Sequence, residues 1–569
     1  MEVAFLFFSN YNRSKISNIK NMKDFTILVG GQAGQGSRKA GLVIAKILNN
    51  LGYRIFIYDD YESLIKGGHS FSKIRASDKK IFTQSNELNF ILALDQKTLD
   101  KHLNNLKDDG IVIFNSDEIK FDKGLGINAE TIAKEEGGSS IMANTAIIAA
   151  FAKTIGVDFD LLKNTFQKEF KKGFDINLKI AERIYNEVDE RLKAEKLDNK
   201  PLPLITGNEA LALGAAKAGL DIYYAYPMTP ATSILHFLAG HKLGVNTIQL
   251  ENEISVIIAA LGSAYAGKRS MVGTSGGGFA LMTEGVSFAA IAELPIIIVN
   301  SQRAGPATGV PTYTGQADLN FVLNAGHGDI VKFTIAPSNA DECFEWGGRI
   351  LNLAWKYQTP AVLLVDKEIS ESTFNLETNQ EIKKEEVLLS NEEGSYKRYK
   401  ITDNGISPLA FPGGDAIVKA TSYEHNEFGL TVEESEEEIM AMQEKRLRKF
   451  EAMQEEVDLM ADAIKVYGKK DSKNVLITWG SSVGPSIEAA ENFDLKVIQI
   501  IVLEPFPIIQ VMKELEGASQ VICVEQNALG QLTSLLSKNG IEADELILKY
   551  SSRVIQKENK ITCRTTRIK

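Results

Sequence analysis

Three segments in the middle of the chain bring together residue types that can hold an anionic small molecule. They read Tyr226-Pro227-Met228-Thr229-Pro230, Gly273-Thr274-Ser275-Gly276-Gly277-Gly278 and Ser301-Gln302-Arg303-Ala304-Gly305-Pro306-Ala307-Thr308-Gly309. Together they supply hydroxyl groups, backbone without bulky side chains and one guanidinium. Because arginine can hold a carboxylate through two parallel hydrogen bonds, the set favours an anionic ligand. Simple turn chemistry for Thr229 and a surface ion pair for Arg303 are the ordinary alternatives.

A carboxylate stands ahead of the second segment. Glu253 follows Glu251-Asn252 and precedes the almost wholly apolar run 254–266. This pattern predicts a buried helix that Glu253 enters at its first turn. Local sequence leaves two interpretations open, a functional acid or a carboxylate that merely favours the positive end of the helix.

A glycine loop lies near the start of the chain. It reads Gly30-Gly31-Gln32-Ala33-Gly34-Gln35-Gly36, between a strand pattern and a helix pattern, where backbone N–H groups could hold an anion. No Lys-Ser/Thr pair follows it, and the third glycine of the dinucleotide template would fall on Lys39. Asp59 and Asp60 stand where a ribose-binding acid would be, so an NAD-type site stays open as an alternative. So does a tight turn that only needs glycine conformations.

The elements that must position these residues alternate between strand and helix patterns. The first part of the chain shows a β-loop-α-β unit, further strand-like runs and a closing helix, at residues 25–29, 37–50, 53–58, 90–94, 110–114 and 176–196. The middle part has strand-like runs separated by helical stretches, at 222–225, 270–273, 296–300 and 361–365. Such alternation predicts parallel strands with crossover helices. Since ligands bind at the carboxyl edge of parallel sheets, the three segments should gather there.

These patterns give an α/β fold class with three α/β domains. We expect a tail at 1–21, a first domain at 22–195, a central domain at 204–374, a charged connecting arm at 375–470 and a third domain at 471–569. The arm contains Glu433–Glu438 and a stretch rich in Glu, Lys and Arg. Its charge predicts a solvated arm with an exposed helix.

Composition excludes several classes of function. With 63 Lys plus Arg against 74 Asp plus Glu, the net charge of -11 disfavours a broad grip on nucleic acid. No uninterrupted apolar run reaches the ~20 residues of a membrane span. The three cysteines, Cys343, Cys523 and Cys563, stand alone, so no metal or iron–sulfur site is expected in this chain. Sparse thiols and the lack of an export signal predict a cytoplasmic protein.

Longer motifs extend the pattern over most of the chain. The central motifs are YPMTP, ENEISVIIAALGSAYAG, TSGGGFALMTEG, ELPIIIVNSQRAGPATGVPT, the stretch Gln316 to Leu319 and GHGD. With them, residues 222–329 resemble the pyrimidine-binding domain of α subunits of 2-oxoacid:ferredoxin oxidoreductases, of the 2-oxoglutarate and pyruvate type. Residues 25–195, with GGQAGQG and LIKGGHS, are similar to the γ domain of these enzymes, fused ahead of α. Residues 472–560, with VLEPFP and CVEQNALGQL, resemble the family's domain of transketolase C-terminal type.

The resemblance implies roles for individual residues. The family's catalytic glutamate maps to Glu253, which would hydrogen-bond N1′ of the aminopyrimidine of thiamine diphosphate. Thr229 matches a threonine that lies against the substrate, and Arg303 matches the arginine that pairs with the substrate carboxylate. The other residues expected at the cofactor are Tyr226, Pro227, Thr274, Ser275 and Gly276. Those expected in an anion or coenzyme A loop are Gly31, Gly34 and Gly36.

Three positions depart from the family pattern. Met228 replaces the usual isoleucine, Lys66 stands where the γ domain usually has arginine, and Gly277 stands where proline is frequent. The change at Lys66 weakens the case for an anion contact there, because lysine lacks the guanidinium fork.

The resemblance also implies a partner. The chain has no GDG motif with a downstream asparagine, the pattern that holds magnesium and diphosphate, and no set of four cluster cysteines. In this family those features belong to a β subunit, which carries Mg and a [4Fe-4S] cluster. The chain should therefore be inactive alone and work in an (αβ)2 hetero-oligomer.

The expected reaction is the coenzyme A-dependent oxidation of a 2-oxoacid, best matched by 2-oxoglutarate, to acyl-CoA and CO2, with reduction of ferredoxin. One alternative is a non-redox thiamine-dependent decarboxylase or transketolase-like subunit. Another, from a different class, is a nucleotide-binding regulatory protein that uses the loop 30–36.

Overall fold

The computed structural model describes residues 22–62, 68–555 and 564–567. The tail predicted at 1–21, together with Lys66, Gly67 and Cys563, lies outside the described residues. The chain forms two compact units. Of the described residues, the first unit holds 22–54, 69–79 and 87–201, and the second holds the others.

The first unit is built around parallel strands covered by helices. As far as Glu187 the elements are β1 (Asp24–Gln32), α1 (Ser37–Asn50), β2 (Arg54–Tyr61), β3 (His69–Ser77), β4 (Leu88–Ala93), α2 (Gln96–His102), β5 (Leu106–Asn115), β6 (Leu125–Ile127), α3 (Ala129–Glu135), α4 (Ala143–Thr154), α5 (Phe159–Glu169) and α6 (Phe174–Glu187). All but β2 belong mainly to this unit. Its strands lie in the order β6-β5-β4-β1-β3. Only β3 runs antiparallel to its neighbour β1.

The helix predicted to end near Lys196 ends at Glu187 instead. The following backbone finds its hydrogen-bond partners outside a helix. The N–H groups of Arg191 and Leu192 donate to the carbonyl of Thr154, and that of Ala194 donates to Ile155. Because these bonds already satisfy the backbone, the charged segment lies extended over the unit rather than continuing the helix.

The second unit contains two larger sheets. Its elements in the centre are β7 (Leu204–Thr206), α7 (Gly207–Lys217), β8 (Ile222–Ala225), α8 (Thr232–Gly240), β9 (Asn246–Gln249), α9 (Glu253–Tyr265), β10 (Ser270–Thr274), α10 (Gly276–Ile291), β11 (Ile296–Gln302), α11 (Leu319–Leu323), β12 (Phe333–Ile335), α12 (Ala340–Tyr357), β13 (Pro360–Asp366), α13 (Lys367–Glu371), β14 (Thr373–Asn375), β15 (Gly394–Ser395) and β16 (Ala416–Ile417). Those that follow are α14 (Glu436–Leu459), β17 (Ile464–Gly468), β18 (Asn474–Thr478), α15 (Val483–Ala490), β19 (Lys496–Ile500), β20 (Val502–Glu504), α16 (Ile508–Leu515), β21 (Gln520–Glu525), α17 (Gln531–Lys538), β22 (Glu545–Leu548) and β23 (Arg564–Arg567).

The central sheet of this unit has the order β20-β12-β13-β11-β10-β8-β9. Every pair in it is parallel except β12 with β20. The C-terminal sheet has the order β17-β19-β18-β21-β22-β23, with parallel pairs in its middle. The two sheets share one buried apolar cluster, which includes Val272, Ile298 and Ile477. The predicted α/β fold class is confirmed.

The connecting arm does not carry the exposed helix that its charge predicts. Helix α14 buries Met442, Met453 and Val457 against the second unit, together with Lys445 and Lys449. The apolar residues recur at helical spacing inside the charged stretch, and the two lysines meet a buried carboxylate. The prediction of a solvated helix was therefore wrong. The many charged residues of α14 obscured the apolar residues that form its buried face.

Candidate active site at the carboxyl edge of the central sheet

The register of the central sheet brings the three segments together. Strand β10 pairs in parallel with β8 on one side and β11 on the other. Gly273 lies opposite Ala225, and Thr274 lies opposite Asn300. The segments that follow these strands therefore leave the sheet at the same edge, as the sequence predicted.

Glu253 is the first residue of α9 and points into the protein. The helix is capped by Asn252, whose side chain accepts a hydrogen bond from the N–H of Ser255 at 2.9 Å. The Glu253 side chain is 3% exposed, and its buried Oε1 has no hydrogen-bond partner among the described residues. Leaving a buried polar atom unpaired costs ~1–3 kcal/mol. An acidic residue in the first turn suits the helix, but the unpaired Oε1 is not explained by the helix alone.

A glycine in α10 gives the carboxylate its place. A Cβ at Gly278 would lie 2.0 Å from Thr274 Oγ1 and 2.6 Å from Glu253 Oε1. No side chain fits there without moving one of these atoms. Thr274 and Ser275 are themselves buried, and the Ser275 Oγ has no partner among the described residues. Two buried polar atoms thus lie without partners at the predicted cofactor loop, which suits a heterocycle carrying hydrogen-bonding atoms.

Helix α9 is not buried on all sides as predicted. Ile254 is 52% exposed and Ile258 is 42% exposed, while Val256 and Ile257 are buried. Leu281 on α10 and Tyr226 after β8 are also exposed apolar residues. Helix α9 therefore has two apolar faces. One packs inside the unit and the other is exposed.

The side chain of Arg303 contacts the backbone of Thr229. Nη1 of Arg303 donates to the carbonyl oxygen of Thr229 at 3.0 Å. Burial lowers the pKa of Arg303, and the nearby carboxylate of Asp318 acts in the opposite direction by raising it. The guanidinium keeps further N–H groups that could meet a carboxylate. Of the other expected cofactor residues in these loops, Tyr226 and Pro227 are exposed and Gly276 is half-buried.

Asp318 is a further candidate site residue, which local pattern did not single out. A Cβ at Gly276 would lie 2.7 Å from its Oδ2, which also accepts a hydrogen bond from Asn300 Nδ2 at 3.2 Å. Its N–H donates to Gln302 Oε1 at 3.1 Å. Burial raises the pKa of Asp318, against the effects of Asn300 and Arg303. Only the motif Gln316 to Leu319 pointed to this position.

Residues that follow strand β21 hold the segment that carries Asp318. The Gln316 N–H donates to the carbonyl of Gln526 at 2.8 Å, and Gln531 Nε2 donates to the carbonyl of Ala317 at 2.8 Å. Gln531 Oε1 also accepts from the N–H of Asn320 at 2.9 Å. The C-terminal part of the unit thus helps to shape the edge of the central sheet, through residues of the CVEQNALGQL motif.

The N-terminal glycine loop sits in the first unit. Gly34 and Gly36 have φ of +104° and +82°, a conformation that favours glycine. Gln35 Oε1 accepts from the N–H of Gln32 at 2.7 Å and lies 2.7 Å from where a Cβ of Gly31 would be. A cavity of about 270 Å³ lies beside the loop and is lined by Glu118 and Glu130, among others. The loop is therefore both a glycine-requiring turn and one wall of a cavity.

Asp59 and Asp60 lie near the end of β2. They belong to the second unit, where Asp60 accepts hydrogen bonds from the hydroxyls of Tyr58 and Tyr313, both at 3.3 Å. The carbonyl of Asp59 accepts from Lys367 Nζ at 2.9 Å. The NAD-type site stays a hypothesis, which these contacts do not test.

Two further features are absent from the described part of the chain. Residues 22–62, 68–555 and 564–567 contain no group of three or more His, Cys, Asp or Glu that could hold a metal ion. In the same ranges, every helix is too short or too polar to cross a membrane.

Comparison with known proteins matches two segments of the chain to protein families. Residues 213–445 match the thiamine diphosphate-binding family of pyruvate flavodoxin/ferredoxin oxidoreductases, and residues 26–187 match the pyruvate ferredoxin/flavodoxin oxidoreductase family. The 2-oxoacid:ferredoxin oxidoreductase subunit alpha of Saccharolobus solfataricus is 32% identical, over 93% of this chain and 96% of its own length.

Two other relatives carry more specific descriptions. The 2-oxoglutarate synthase subunit KorA of Methanothermobacter marburgensis is 30% identical, over 62% of this chain and 95% of its own. The solved 2-oxoglutarate:ferredoxin oxidoreductase of Magnetococcus marinus, with 2-oxoglutarate, coenzyme A and succinyl-CoA bound, is 29% identical with a TM-score of 0.85. That alignment covers 94% of this chain and 98% of the solved chain. The buried carboxylate at the sheet edge, the matching families and the near full-length relatives together show that this chain belongs to the thiamine diphosphate-dependent 2-oxoacid:ferredoxin oxidoreductases, as an alpha-type subunit.

Proposed function

We propose that this chain supplies the Glu253 half of a shared active site that oxidises 2-oxoglutarate to succinyl-CoA and CO2 and reduces ferredoxin. The observation that carries the proposal is the buried, unpartnered Oε1 of Glu253, held beside Gly278. A ring nitrogen that shares a proton with this oxygen would satisfy it. N1′ of the aminopyrimidine of thiamine diphosphate is such an atom.

The residues at the sheet edge have distinct roles in this proposal. Glu253 holds a proton at N1′, and the loops that contain Tyr226, Pro227, Thr274, Ser275 and Gly276 surround the cofactor. When bound, thiamine diphosphate supplies the carbon nucleophile and the electron sink of the reaction. Arg303 receives the substrate carboxylate next to the ketone, and Thr229 lies against the substrate.

The choice of substrate is supported by the relatives. The KorA subunit is named for 2-oxoglutarate synthase, and the solved Magnetococcus enzyme contains 2-oxoglutarate, coenzyme A and succinyl-CoA. Coenzyme A is accordingly the proposed acyl acceptor, and we assign the loop with Gly31, Gly34 and Gly36 to its binding. Arg303 alone would accept the carboxylate of any 2-oxoacid.

The proposed partner is a β subunit that carries Mg, the diphosphate motif and a [4Fe-4S] cluster, in an (αβ)2 assembly that passes electrons to ferredoxin. The exposed residues Ile254 and Ile258, which share one face of α9, support the binding of a partner chain at this helix. Exposed apolar residues grouped on one face are typical of an interaction surface.

The test is a pair of variants in the co-purified complex. We expect Glu253→Gln to reduce coenzyme A-dependent viologen reduction by at least 10²-fold, because the amide cannot take up the proton. Glu251→Gln, two residues away and exposed, is the matched control and should keep full activity. Both variants should assemble normally. Equal rates for the two variants would refute the role of Glu253.

The same complex identifies the substrate. Rates with 2-oxoglutarate, pyruvate and branched-chain 2-oxoacids should be compared as kcat/KM, and we expect 2-oxoglutarate to be preferred at least tenfold. Acyl product formed without any reduced cluster on the partner would instead favour a non-redox transferase.

A further inference from the structure

One buried amide contacts the turn that carries Thr229. Asn208 is the second residue of α7, and its side chain is fully buried. Its Nδ2 donates to the carbonyl oxygen of Pro230 at 2.9 Å and to Ser233 Oγ at 2.9 Å. An amide has two N–H groups, so these two contacts use its full donor capacity. Asn208 therefore holds the turn from the side of α7.

Helix α7 does not need this side chain for its own stability. Thr206 and Glu209 already cap the helix, because each accepts a hydrogen bond from the backbone N–H of the other, at 3.3 Å and 2.9 Å. Asparagine is also a weak helix former. In addition, the Oδ1 of Asn208 is buried without a partner among the described residues, which lowers stability. The contacts with the turn, rather than a requirement of α7, therefore explain the asparagine.

The start of α7 is fixed by its neighbour in the fold. A Cβ at Gly207 would lie 2.1 Å from the carbonyl oxygen of Ile369, so only glycine lets α7 approach α13 this closely. Asn208 follows Gly207 directly. The capping box on one side and this close backbone contact on the other leave the amide of Asn208 little freedom to move.

The turn is held at two consecutive carbonyl groups. Nη1 of Arg303 donates to the carbonyl oxygen of Thr229, and Asn208 donates to that of Pro230. These donors come from different elements, the segment after β11 and the first turn of α7. Because the ring of Pro230 fixes its φ, the two carbonyl groups on either side of that bond move together. The carbonyl that contacts Arg303 is therefore coupled to the one that contacts Asn208.

We propose that Asn208 is a positioning residue for the substrate carboxylate and acts on Arg303 through the turn at Thr229 and Pro230. This inference rests on the proposed function, in which Arg303 receives the carboxylate next to the ketone and Thr229 lies against the substrate. Without the amide, the turn loses one of its two anchors, and the guanidinium loses its fixed orientation. Every 2-oxoacid has the same carboxylate, so the loss affects the binding of all of them equally.

Two variants with opposite effects on packing remove the donor. Asn208→Leu keeps a side chain of similar size, whereas Asn208→Ala opens a cavity. In the complex co-purified with its partner, both should raise the KM for 2-oxoglutarate at least fivefold and change kcat less than twofold, because the lost interaction binds the substrate before the chemical step. A side chain that only fills space would be replaced well by leucine and poorly by alanine. A wild-type KM in folded Asn208→Leu protein would therefore overturn the inference.

Ser233→Ala is the matched control. It removes the other acceptor of the same amide and leaves the bond from Asn208 to Pro230 in place, so the KM should stay within twofold of wild type. The rise in KM of the Asn208 variants should be equal for 2-oxoglutarate, pyruvate and branched-chain 2-oxoacids, and the KM for coenzyme A should not change. Unfolding midpoints check that all variants fold. A rise confined to one 2-oxoacid, or an equal rise in Ser233→Ala, would contradict the positioning role.

Direct titration separates this inference from the proposed function. Calorimetry without coenzyme A gives the Kd of each 2-oxoacid for the complex and needs no turnover. If the wild-type complex oxidises 2-oxoacids and the Asn208 variants keep its KM and Kd, only the positioning role fails. If the wild type binds 2-oxoacids without oxidising them, the proposed function fails, and a Kd at least fivefold weaker in both Asn208 variants supports the inference. A wild-type complex that binds no 2-oxoacid would overturn both.

Discussion

At the scale of single residues, Gly278 controls the geometry of Glu253. It lies in the first turn of α10, where the side chain of Thr274 and the carboxylate of Glu253 leave no room for a Cβ. A helix would ordinarily gain stability from alanine at this position. The glycine therefore reflects the approach of the carboxylate rather than a need of the helix.

This gives a prediction for Gly278→Ala. The methyl group would clash with Thr274 Oγ1 and with the carboxylate of Glu253. We therefore expect kcat to fall at least 10²-fold, and the unfolding midpoint to fall as well because overpacking a buried site is destabilising. Gly277→Ala is the matched control, because its Cβ would meet nothing closer than 4.0 Å. Steady-state kinetics of the two complexes provide the measurement. Similar kcat values would show that the carboxylate position is not critical.

At the scale of elements, α14 is anchored by a buried ion cluster. Lys445 Nζ lies 2.8 Å from both carboxylate oxygens of Glu293, and Lys449 forms a second ion pair with Glu293. Burial alone would raise the pKa of Glu293, but the two lysines hold it well below its usual range. Burial lowers the pKa of Lys449 to about 7, against the pull of Glu293. The cluster joins the arm to the end of α10.

We predict that Glu293→Gln destabilises the protein by ~3–5 kcal/mol at pH 7, because it leaves two buried lysines without a counter-charge. Glu284→Gln on the exposed side of α10 should change stability little. Urea unfolding monitored by tryptophan fluorescence would measure both.

The pH dependence follows from the depressed pKa of Glu293. Its contribution is present above the carboxyl pKa of the unfolded chain, ~4.3, and is lost as the pH falls through the lower folded value. The stability gap between wild type and Glu293→Gln should therefore narrow below about pH 4. A gap that stayed constant down to pH 3 would contradict the ion-cluster explanation.

At the scale of the whole molecule, the exposed apolar face of α9 is the proposed contact with the partner subunit. Ile254 and Ile258 are one helical turn apart and therefore share a face of α9, the helix that begins at Glu253. We predict that Ile254→Asp reduces the yield of the complex with the partner at least tenfold, while the isolated chain keeps its unfolding midpoint. Phe493→Lys, at a 62% exposed position in the turn after α15, is the control and should assemble normally. Size-exclusion chromatography of co-expressed chains would show the difference.

Much of the fold could be predicted from the sequence. The helix at 37–50 has the predicted bounds, and Glu253 begins α9 as expected, because apolar spacing and the Asn252 cap act within a few residues. The gathering of the three segments also followed, since parallel strands place their carboxyl ends at one edge. The division into domains and the roles of the site residues stay predictions.

The sequence by itself determined the α/β alternation, the start of α9 and the motifs that assign the family, since each depends on near neighbours in the chain. Only the tertiary structure decided that Glu253 Oε1 lacks a partner, that Asp318 lies against Gly276 and that α14 hides its lysines. Those outcomes depend on contacts between residues far apart in sequence, such as Glu293 with Lys445 and Ala317 with Gln531. Burial and hydrogen-bond pairing are properties of the packed chain, and no local pattern encodes them.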